Sequence, residues 1–311
     1  MRKSGTNPFR KGLKLSVCGL FIVVFLFAAF SENQQNDTIK ESQLVFTTSP
    51  FIPKNLTFCG EEVPLHYFDI VESLERELIV NTYFHSQTLL YIKKSTRYFP
   101  IIEPILKANH IPDDFKYLAI AESGFTHIVS PAGATGFWQL LESTAKDYGL
   151  EVTEEVDERY HLEKATEAAC KYLNDSYAVY KNWTMVAATY NAGRKGIERQ
   201  IGRQGETNYY DLLLNEETAR YVFRILAIKL ILENPIQYGF NVPDSEKYHP
   251  IPFHEISVSD SIDDIGAFAR EKGTNYKLLK MSNPWLRDNK LINSQQKSYL
   301  IKIPISREFE K

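Results

Sequence analysis

Residues 111–124 read IPDDFKYLAIAESG, and their pattern predicts one short helix. The proline and the two aspartates near its start predict the beginning of a helix, and Gly124 predicts its end. Phe115, Leu118 and Glu122 follow one another at i, i+3 and i+7, so they share one face of that helix. The sequence therefore predicts a glutamate at the end of an apolar helix face.

Two physical effects act on Glu122 in that position. Burial disfavours the charged form of a carboxyl, and the negative end of the helix dipole acts in the same direction. Both effects favour a carboxyl that stays protonated near neutral pH, which is what a general acid needs. A lone glutamate at a helix end is nevertheless more often a capping or salt-bridging residue, so the neighbouring motifs decide between these interpretations.

Three further motifs follow in order. Residues 130–140 (SPAGATGFWQL) are mostly small, so the backbone can approach a ligand closely, while Trp138 and Gln139 supply a ring and an amide. Residues 183–193 (WTMVAATYNAG) predict a helix that ends in Tyr-Asn before a glycine. Residues 215–222 (NEETARYV) predict the start of a long helix with acidic residues in its first turn.

Taken together and in this order, the motifs resemble the family-23 lytic transglycosylases, and among them the membrane-bound type D enzymes. The shared pattern runs from Glu-Ser, through Ser-x-x-Gly-Ala-x-Gly and a following Gln, to Ala-x-Tyr-Asn-x-Gly and Glu-Thr-x-x-Tyr-Val. The resemblance covers residues 113–232. One departure is Thr189, where the family commonly has alanine before Tyr-Asn.

The resemblance implies a mainly α, lysozyme-like (α+β) catalytic domain over residues 51–240, with its core at 112–234. It also implies that Glu122 is the sole catalytic acid and base. Such an enzyme cleaves the β-1,4 bond between N-acetylmuramic acid and N-acetylglucosamine and leaves a 1,6-anhydro ring. The supporting residues implied by position are Tyr221 beside Glu122, Ser123 as its orienting neighbour, and Ser130, Gln139, Tyr190 and Asn191 as sugar contacts.

Two alternatives to this function stay open. A goose-type lysozyme shares the fold and hydrolyses the same bond, but ordinary glycosidases use two carboxyls. Residues 124–141 contain no acid, and Glu142 and Asp147 after them look like the start of an amphipathic helix. A non-catalytic wall-binding protein is the other alternative, although such a protein would be expected to lose Glu122 or the Tyr-Asn pair.

The N-terminus carries a basic segment followed by an uncharged apolar run from residue 15 to residue 31. This pattern is typical of an export signal, and residues 1–31 are interpreted as either a cleaved signal peptide or a membrane anchor. Residues 32–50 are polar and predict a linker. The body of the protein is therefore expected outside the cytoplasm, in the periplasm or cell envelope of a bacterium.

The C-terminal segment, residues 250–306, resembles a LysM module with a strand-helix-helix-strand (βααβ) order. The resemblance rests on its Asn283-Pro284 turn and on the Leu-x-Ile-Pro ending of its last strand. Where that family commonly has Gly-Asp-Thr, this chain has Ser-Asp-Ser at 259–261. The module is thus interpreted either as a glycan-binding unit or as an appendage that only packs on the catalytic domain.

Composition limits which partners and cofactors the protein can have. The 311 residues carry 36 basic and 39 acidic side chains, and this net charge of -3 argues against a nucleic-acid partner. The histidines show no metal-ligand spacing, so no metal or other cofactor is expected. Of the three cysteines, Cys59 and Cys170 could form one disulfide or remain free thiols. The expected partner is the peptidoglycan glycan strand, bound by a monomer.

Overall fold

The computed structural model describes residues 48–305. Contacts divide the chain into one unit that ends at Thr48 and a second unit from Ser49 onward. The predicted signal or anchor and residues 32–47 of the predicted linker lie outside the described residues. Among residues 48–305, no helix combines the length and the apolar character needed to cross a membrane.

The first and larger part of the described chain is helical, after a short antiparallel hairpin. The predicted mainly α class is confirmed. Its elements are β1 Thr57–Phe58, β2 Glu61–Glu62, α1 Phe68–Tyr83, α2 His85–Ala108, α3 Phe115–Ser123, α4 Glu142–Asp147, α5 Leu162–Tyr180, α6 Trp183–Ala192, α7 Arg194–Gln204 and α8 Glu216–Glu233.

Helix α8 is the central element of this part. It packs against α1, α3 and α6, and nearly its whole length from Tyr221 to Ile231 is buried. Its first turn is closed as the sequence predicted, because the Asn215 side chain accepts a hydrogen bond from the backbone N–H of Thr218 at 3.0 Å. Because α3 packs on α8, the end of α3 lies against a buried helix rather than against a loop.

Helix α3 carries the predicted glutamate at its C-terminus. It ends at Ser123, and Gly124 takes the left-handed conformation that a glycine adopts readily (φ 57°). It begins at Phe115, directly after the proline and the two aspartates as the sequence predicted, although the Asp114 side chain makes no cap hydrogen bond. The Asp114 carboxylate instead accepts the backbone N–H of Cys59 at 2.6 Å and pairs with Lys229 at 2.8 Å, so it fastens the hairpin and α8 to α3.

Residues 128–140, here called the cleft loop, form a compact double turn. Two isolated bridges, Val129 with Thr135 and Thr135 with Leu140, fold the segment back on itself. Gly136 in its middle has φ +81°, and a Cβ placed there would lie 2.1 Å from the backbone oxygen of Arg159. The close approach of these two backbones therefore requires glycine.

The C-terminal part is a small module whose strand-helix-helix-strand order agrees with the prediction. Strand β3 (Phe253–Val258) pairs antiparallel with β4 (Tyr299–Pro304) along its whole length. Between them lie α9 (Ile265–Glu271) and α10 (Tyr276–Ser282). Helix α9 begins at Ile265, because the Asp264 side chain accepts the N–H groups of Gly266 and Ala267 and caps the helix there.

The module packs directly on the helical part. Its hydrophobic core includes Val156 and Tyr160, which come from the segment between α4 and α5. Since both parts lie in the single unit from Ser49 onward, the module is a fixed neighbour of the helical part. The module therefore packs on the helical part, whereas its glycan binding and the boundaries at 51–240 and 250–306 stay predictions.

The two described cysteines, Cys59 and Cys170, are both free thiols. Cys170 is buried in the main core and Cys59 is partly buried beside β1. Of the two possibilities that the sequence left open, a disulfide or two free thiols, the structure has the free thiols.

Replacing Gly136 with alanine should destabilise the protein. The substitution combines a positive φ, costing about 1–2 kcal/mol, with a backbone clash worth about 1–3 kcal/mol. Gly149→Ala is the matched control, because Gly149 also has a positive φ (+90°) but nothing lies within 4 Å of the added Cβ. Thermal unfolding should show a clearly larger drop for Gly136→Ala than for Gly149→Ala, and equal drops would contradict the observed approach of the backbones.

Candidate active site

Glu122 lies at the end of α3 and faces α8. The hydroxyl of Tyr221, one turn into α8, donates a hydrogen bond to Oε1 of Glu122. Tyr221 is fully buried, whereas Glu122 keeps part of its surface exposed. The carboxyl is therefore enclosed by protein on most sides and open on one, as a group that acts on a bound molecule must be.

Burial raises the pKa of the Glu122 carboxyl to about 7. The hydrogen bond from Tyr221 and the positive charge of Arg224 both oppose this shift, while the charge of Glu217 adds to it. Burial also raises the pKa of the Tyr221 hydroxyl well above its ordinary value, and the Glu122 charge adds to that effect. Glu122 can thus both give and take a proton near neutral pH, while Tyr221 stays a donor.

Charged residues on α8 surround this pair. Arg224 binds the carboxylate of Glu217 at 2.9 Å and 3.3 Å. The Nε of Arg224 also lies 3.7 Å from Glu77, a buried acid of α1 that pairs with Arg220 at 2.6 Å. The positive charge of Arg224 therefore offsets the negative charges of Glu217 and Glu77 beside Tyr221.

Ser123, next to the glutamate, does not bond to it. Its hydroxyl donates to the backbone oxygens of Ala119 at 3.1 Å and Phe137 at 3.0 Å, and it accepts the N–H of Phe125 at 3.2 Å. The residue thus ties the end of α3 to the cleft loop. Any orienting effect of Ser123 on Glu122 acts through this connection.

The Tyr-Asn pair ends α6, as the sequence predicted. The Tyr190 hydroxyl donates to the backbone oxygen of Trp138 in the cleft loop at 2.7 Å, and the negative charge of Glu122 contributes to the raised pKa of Tyr190 after burial. The Asn191 amide oxygen accepts the Thr218 hydroxyl of α8 at 2.9 Å. The structure therefore brings Tyr190 close to Glu122 and fixes Asn191 to the first turn of α8.

Ser130 and Gln139 lie at the two ends of the cleft loop and hold its shape. The Ser130 hydroxyl accepts the N–H of Ala134 at 3.0 Å. The Gln139 amide nitrogen donates to the oxygens of Ile128 at 3.1 Å and Gly136 at 2.8 Å. Gln139 has φ 47°, so its backbone is in the left-handed region that side chains seldom adopt.

Trp138 is not available as a ring for a ligand. It is fully buried, and its indole N–H donates to the Thr166 hydroxyl of α5 at 2.8 Å. The expectation that it offers a ring in the cleft is wrong, because the small residues before it let the chain turn inward and place the ring in the core. Its backbone oxygen, rather than its ring, contacts Tyr190.

Sequence reasoning missed Arg224 and Glu217 as residues that act on the glutamate. The signal was present, because Glu217 and Arg224 stand at i−4 and i+3 from Tyr221 and so share its face of a helix. The resemblance already implied that Tyr221 lies beside Glu122. The packing of α8 on α3 adds that Glu217 and Arg224, on the same face, also act on this carboxyl.

Comparisons with known families agree with this architecture. Residues 99–213 match the family model described as the Transglycosylase SLT domain. Residues 254–307 match the model described as the Soluble lytic transglycosylase C-terminal LysM-like domain. Both parts of the resemblance expected from the sequence are thereby confirmed, since the chain is similar to an SLT domain over the first range and to a LysM-like domain over the second.

The chain is also similar to individual proteins. The chain is 30% identical, over 199 residues, to the membrane-bound lytic murein transglycosylase D of Escherichia coli K12 and to that of E. coli O6:H1. The match covers 61% of this chain and 43% of each relative, so the chain spans less than half of their length. A solved structure of an inactive mutant of the lytic transglycosylase Slt from Pseudomonas aeruginosa overlaps 58% of this chain and 35% of its own, at 16% identity and a TM-score of 0.39.

Removal of the Tyr221 hydroxyl should change the pH dependence of the site. The Tyr221 bond lowers the pKa of Glu122, so Tyr221→Phe should raise that pKa further and move the alkaline limb of activity to higher pH. Losing a hydrogen bond to a charged group, about 1.5–3 kcal/mol, should also lower turnover roughly tenfold to a hundredfold. The measurement is a pH–rate profile on peptidoglycan.

Tyr117→Phe is the matched control for Tyr221→Phe. The Tyr117 hydroxyl reaches Glu233 at 3.3 Å, at the opposite end of α8, rather than Glu122. Its profile should coincide with that of the unmodified protein. An alkaline limb that stays in place or moves to lower pH in Tyr221→Phe would contradict the assigned role.

Proposed function

We propose that this chain is a peptidoglycan lytic transglycosylase that cleaves the β-1,4 bond between N-acetylmuramic acid and N-acetylglucosamine. The observation that carries the proposal is the enclosed carboxyl of Glu122, whose pKa burial raises to about 7, with Tyr221 as its donor. The SLT-domain match and the similarity to lytic murein transglycosylases support the same substrate.

In the first step Glu122 acts as the general acid. Its protonated carboxyl gives the proton to the glycosidic oxygen, and the bond from that oxygen to C1 of the muramic sugar breaks. A pKa near 7 makes this transfer efficient, because the acid is still protonated at working pH and yet gives up its proton readily. The carboxylate that results accepts the hydrogen bond from Tyr221, which offsets part of the cost of a buried charge.

In the second step the same carboxylate acts as the base. It takes the proton of the muramoyl C6 hydroxyl, and that oxygen closes onto C1 to form the 1,6-anhydro ring. The nucleophile is part of the substrate, so no second protein carboxylate is needed. Glu122 ends the cycle protonated, as it began.

A hydrolase of the lysozyme type is the second candidate, and it would need another carboxylate. The sequence candidates Glu142 and Asp147 both lie exposed on α4, and Glu142 pairs with Lys146 at 2.6 Å. Within residues 48–305, Glu217 is the acid whose charge acts on Glu122, and the Arg224 guanidinium holds its carboxylate. These pairings favour the intramolecular reaction over hydrolysis.

Ser130, Gln139, Tyr190 and Asn191 are proposed to contact the sugars and their acetamido groups. The proposal is supported by their positions in the cleft loop and at the end of α6, two segments that the bond from Tyr190 to Trp138 joins, and by the bond from Ser123 to the same loop. The place of action is proposed to be the cell envelope, because the substrate is there and the matched relatives are named membrane-bound. Attachment through the N-terminal segment belongs to the same proposal.

The product of the reaction tests the proposal. Glu122→Gln keeps the size of the side chain but removes its transferable proton, so turnover should fall by about 10²–10⁴-fold. Purified sacculi are digested, and the products are weighed by mass spectrometry, where an anhydro end is one water lighter than a reducing end. Anhydro-muropeptides should appear with the unmodified protein and be almost absent with Glu122→Gln.

Glu142→Gln is the matched control, because the same chemical change is made at an exposed carboxyl, and it should leave both product and rate unchanged. Thermal unfolding above pH 7 should show Glu122→Gln at least as stable as the unmodified protein, since a neutral amide avoids ionising a buried carboxyl. Reducing-end products would establish the hydrolase instead. Binding of sacculi without any release would establish a wall-binding protein.

A further inference from the structure

Arg159 lies behind the cleft loop and is buried. Its guanidinium makes a two-pronged pair with Asp157, with Nε at 2.9 Å from Oδ1 and Nη2 at 2.7 Å from Oδ2. The remaining nitrogen, Nη1, donates to the backbone oxygens of Gly133 at 3.0 Å and Leu140 at 3.4 Å. One side chain therefore joins the tip and the end of the cleft loop.

The contacts of the cleft loop give this arrangement a consequence for Glu122. The backbone oxygen of Phe137 receives the Ser123 hydroxyl, and that of Trp138 receives the Tyr190 hydroxyl. Both donors flank the glutamate, one along α3 and one at the end of α6. A change in the path of the loop would move these two acceptors and with them the surroundings of Glu122.

The segment that carries Arg159, residues 151–160, is held from its other side by the C-terminal module. Trp285 accepts the backbone N–H of Asp157 at 2.9 Å, and Glu155 accepts that of Arg287 at 2.7 Å. The Tyr299 hydroxyl of β4 donates to Glu151 at 3.0 Å. We call residues 151–160 the bridging segment, because they contact the module on one side and the cleft loop on the other.

We propose that Arg159 is a positioning residue, which fixes the cleft loop behind Glu122, and that the C-terminal module takes part in catalysis by holding the bridging segment that carries Arg159. This role depends on a geometry that only arginine supplies. The planar guanidinium makes two bonds to the Asp157 carboxylate and two to carbonyl oxygens, whereas a lysine ammonium has three N–H donors and does not match a carboxylate with two parallel bonds. The inference rests on the proposed function of Glu122 and adds a role for the module that does not require the module to bind glycan.

The test compares Arg159→Lys with Arg287→Lys. Arg287 is also an arginine of the module interface, where its guanidinium stacks 4.0 Å over the ring of Tyr160, but it has no contact with the cleft loop among the described residues. Arg159→Lys should lower kcat/KM for release of anhydro-muropeptides by at least about tenfold, measured well below its unfolding temperature. Arg287→Lys keeps the backbone N–H that bonds to Glu155 and keeps a cation beside Tyr160, so it should stay within about twofold of the unmodified protein.

Amide hydrogen exchange gives a readout that does not depend on activity. In Arg159→Lys the amides of residues 128–140 should exchange faster, while those of α1 and α8 keep their protection. Normal exchange in the cleft loop together with normal kcat/KM would overturn the proposal. Loss of activity with exchange raised throughout the molecule would also overturn it, because that result describes general destabilisation.

The two proposals fail in different ways. An unmodified protein that releases no anhydro product contradicts the proposed function. The exchange comparison between Arg159→Lys and Arg287→Lys still decides whether Arg159 fixes the cleft loop.

Discussion

The carboxyl of Glu122 sits where three opposing effects meet. Enclosure by protein disfavours its charge, while the hydroxyl of Tyr221 and the guanidinium of Arg224 favour that charge. Burial prevails, but incompletely, so the pKa settles near 7. A deeper site would hold the carboxyl permanently neutral, and an open one would leave it permanently charged. The remaining structure serves to keep this balance.

Two helices and the cleft loop enclose Glu122 and set its pKa. Helix α3 ends at Ser123 and presents Glu122 at its last turn, where the helix dipole adds to the effect of burial. Helix α8, which is capped by Asn215, holds Tyr221 opposite Glu122. The cleft loop completes the enclosure, and its backbone oxygens rather than its side chains receive Ser123 and Tyr190.

The sequence predicted the parts that depend on local order. Helical spacing placed Glu122 on an apolar face, and glycines marked the ends of α3 and α6 because they alone adopt the required backbone conformation easily. The βααβ order of the module followed from its strand and helix patterns. These predictions needed only residues within a few turns of one another.

What the sequence could not give depends on distant partners. The burial of Trp138 is decided by Thr166, 28 residues later, and the role of Arg159 by Gly133 and Leu140, which precede it by 26 and 19 residues. No periodicity within the cleft loop distinguishes a side chain that turns into the core from one that faces a ligand. The contact between the module and residues 151–160 is of the same kind, because it joins segments more than 120 residues apart.

The central claim is that one glutamate stays protonated to near-neutral pH, and direct titration tests it. In protein with ¹³C-labelled glutamate carboxyls, NMR across pH 3–9 should show one carboxyl that titrates near 7, and this resonance should be missing from Glu122→Gln. If no glutamate carboxyl titrates near 7, and all titrate at or below the ordinary value of about 4.3, the account of the site is contradicted.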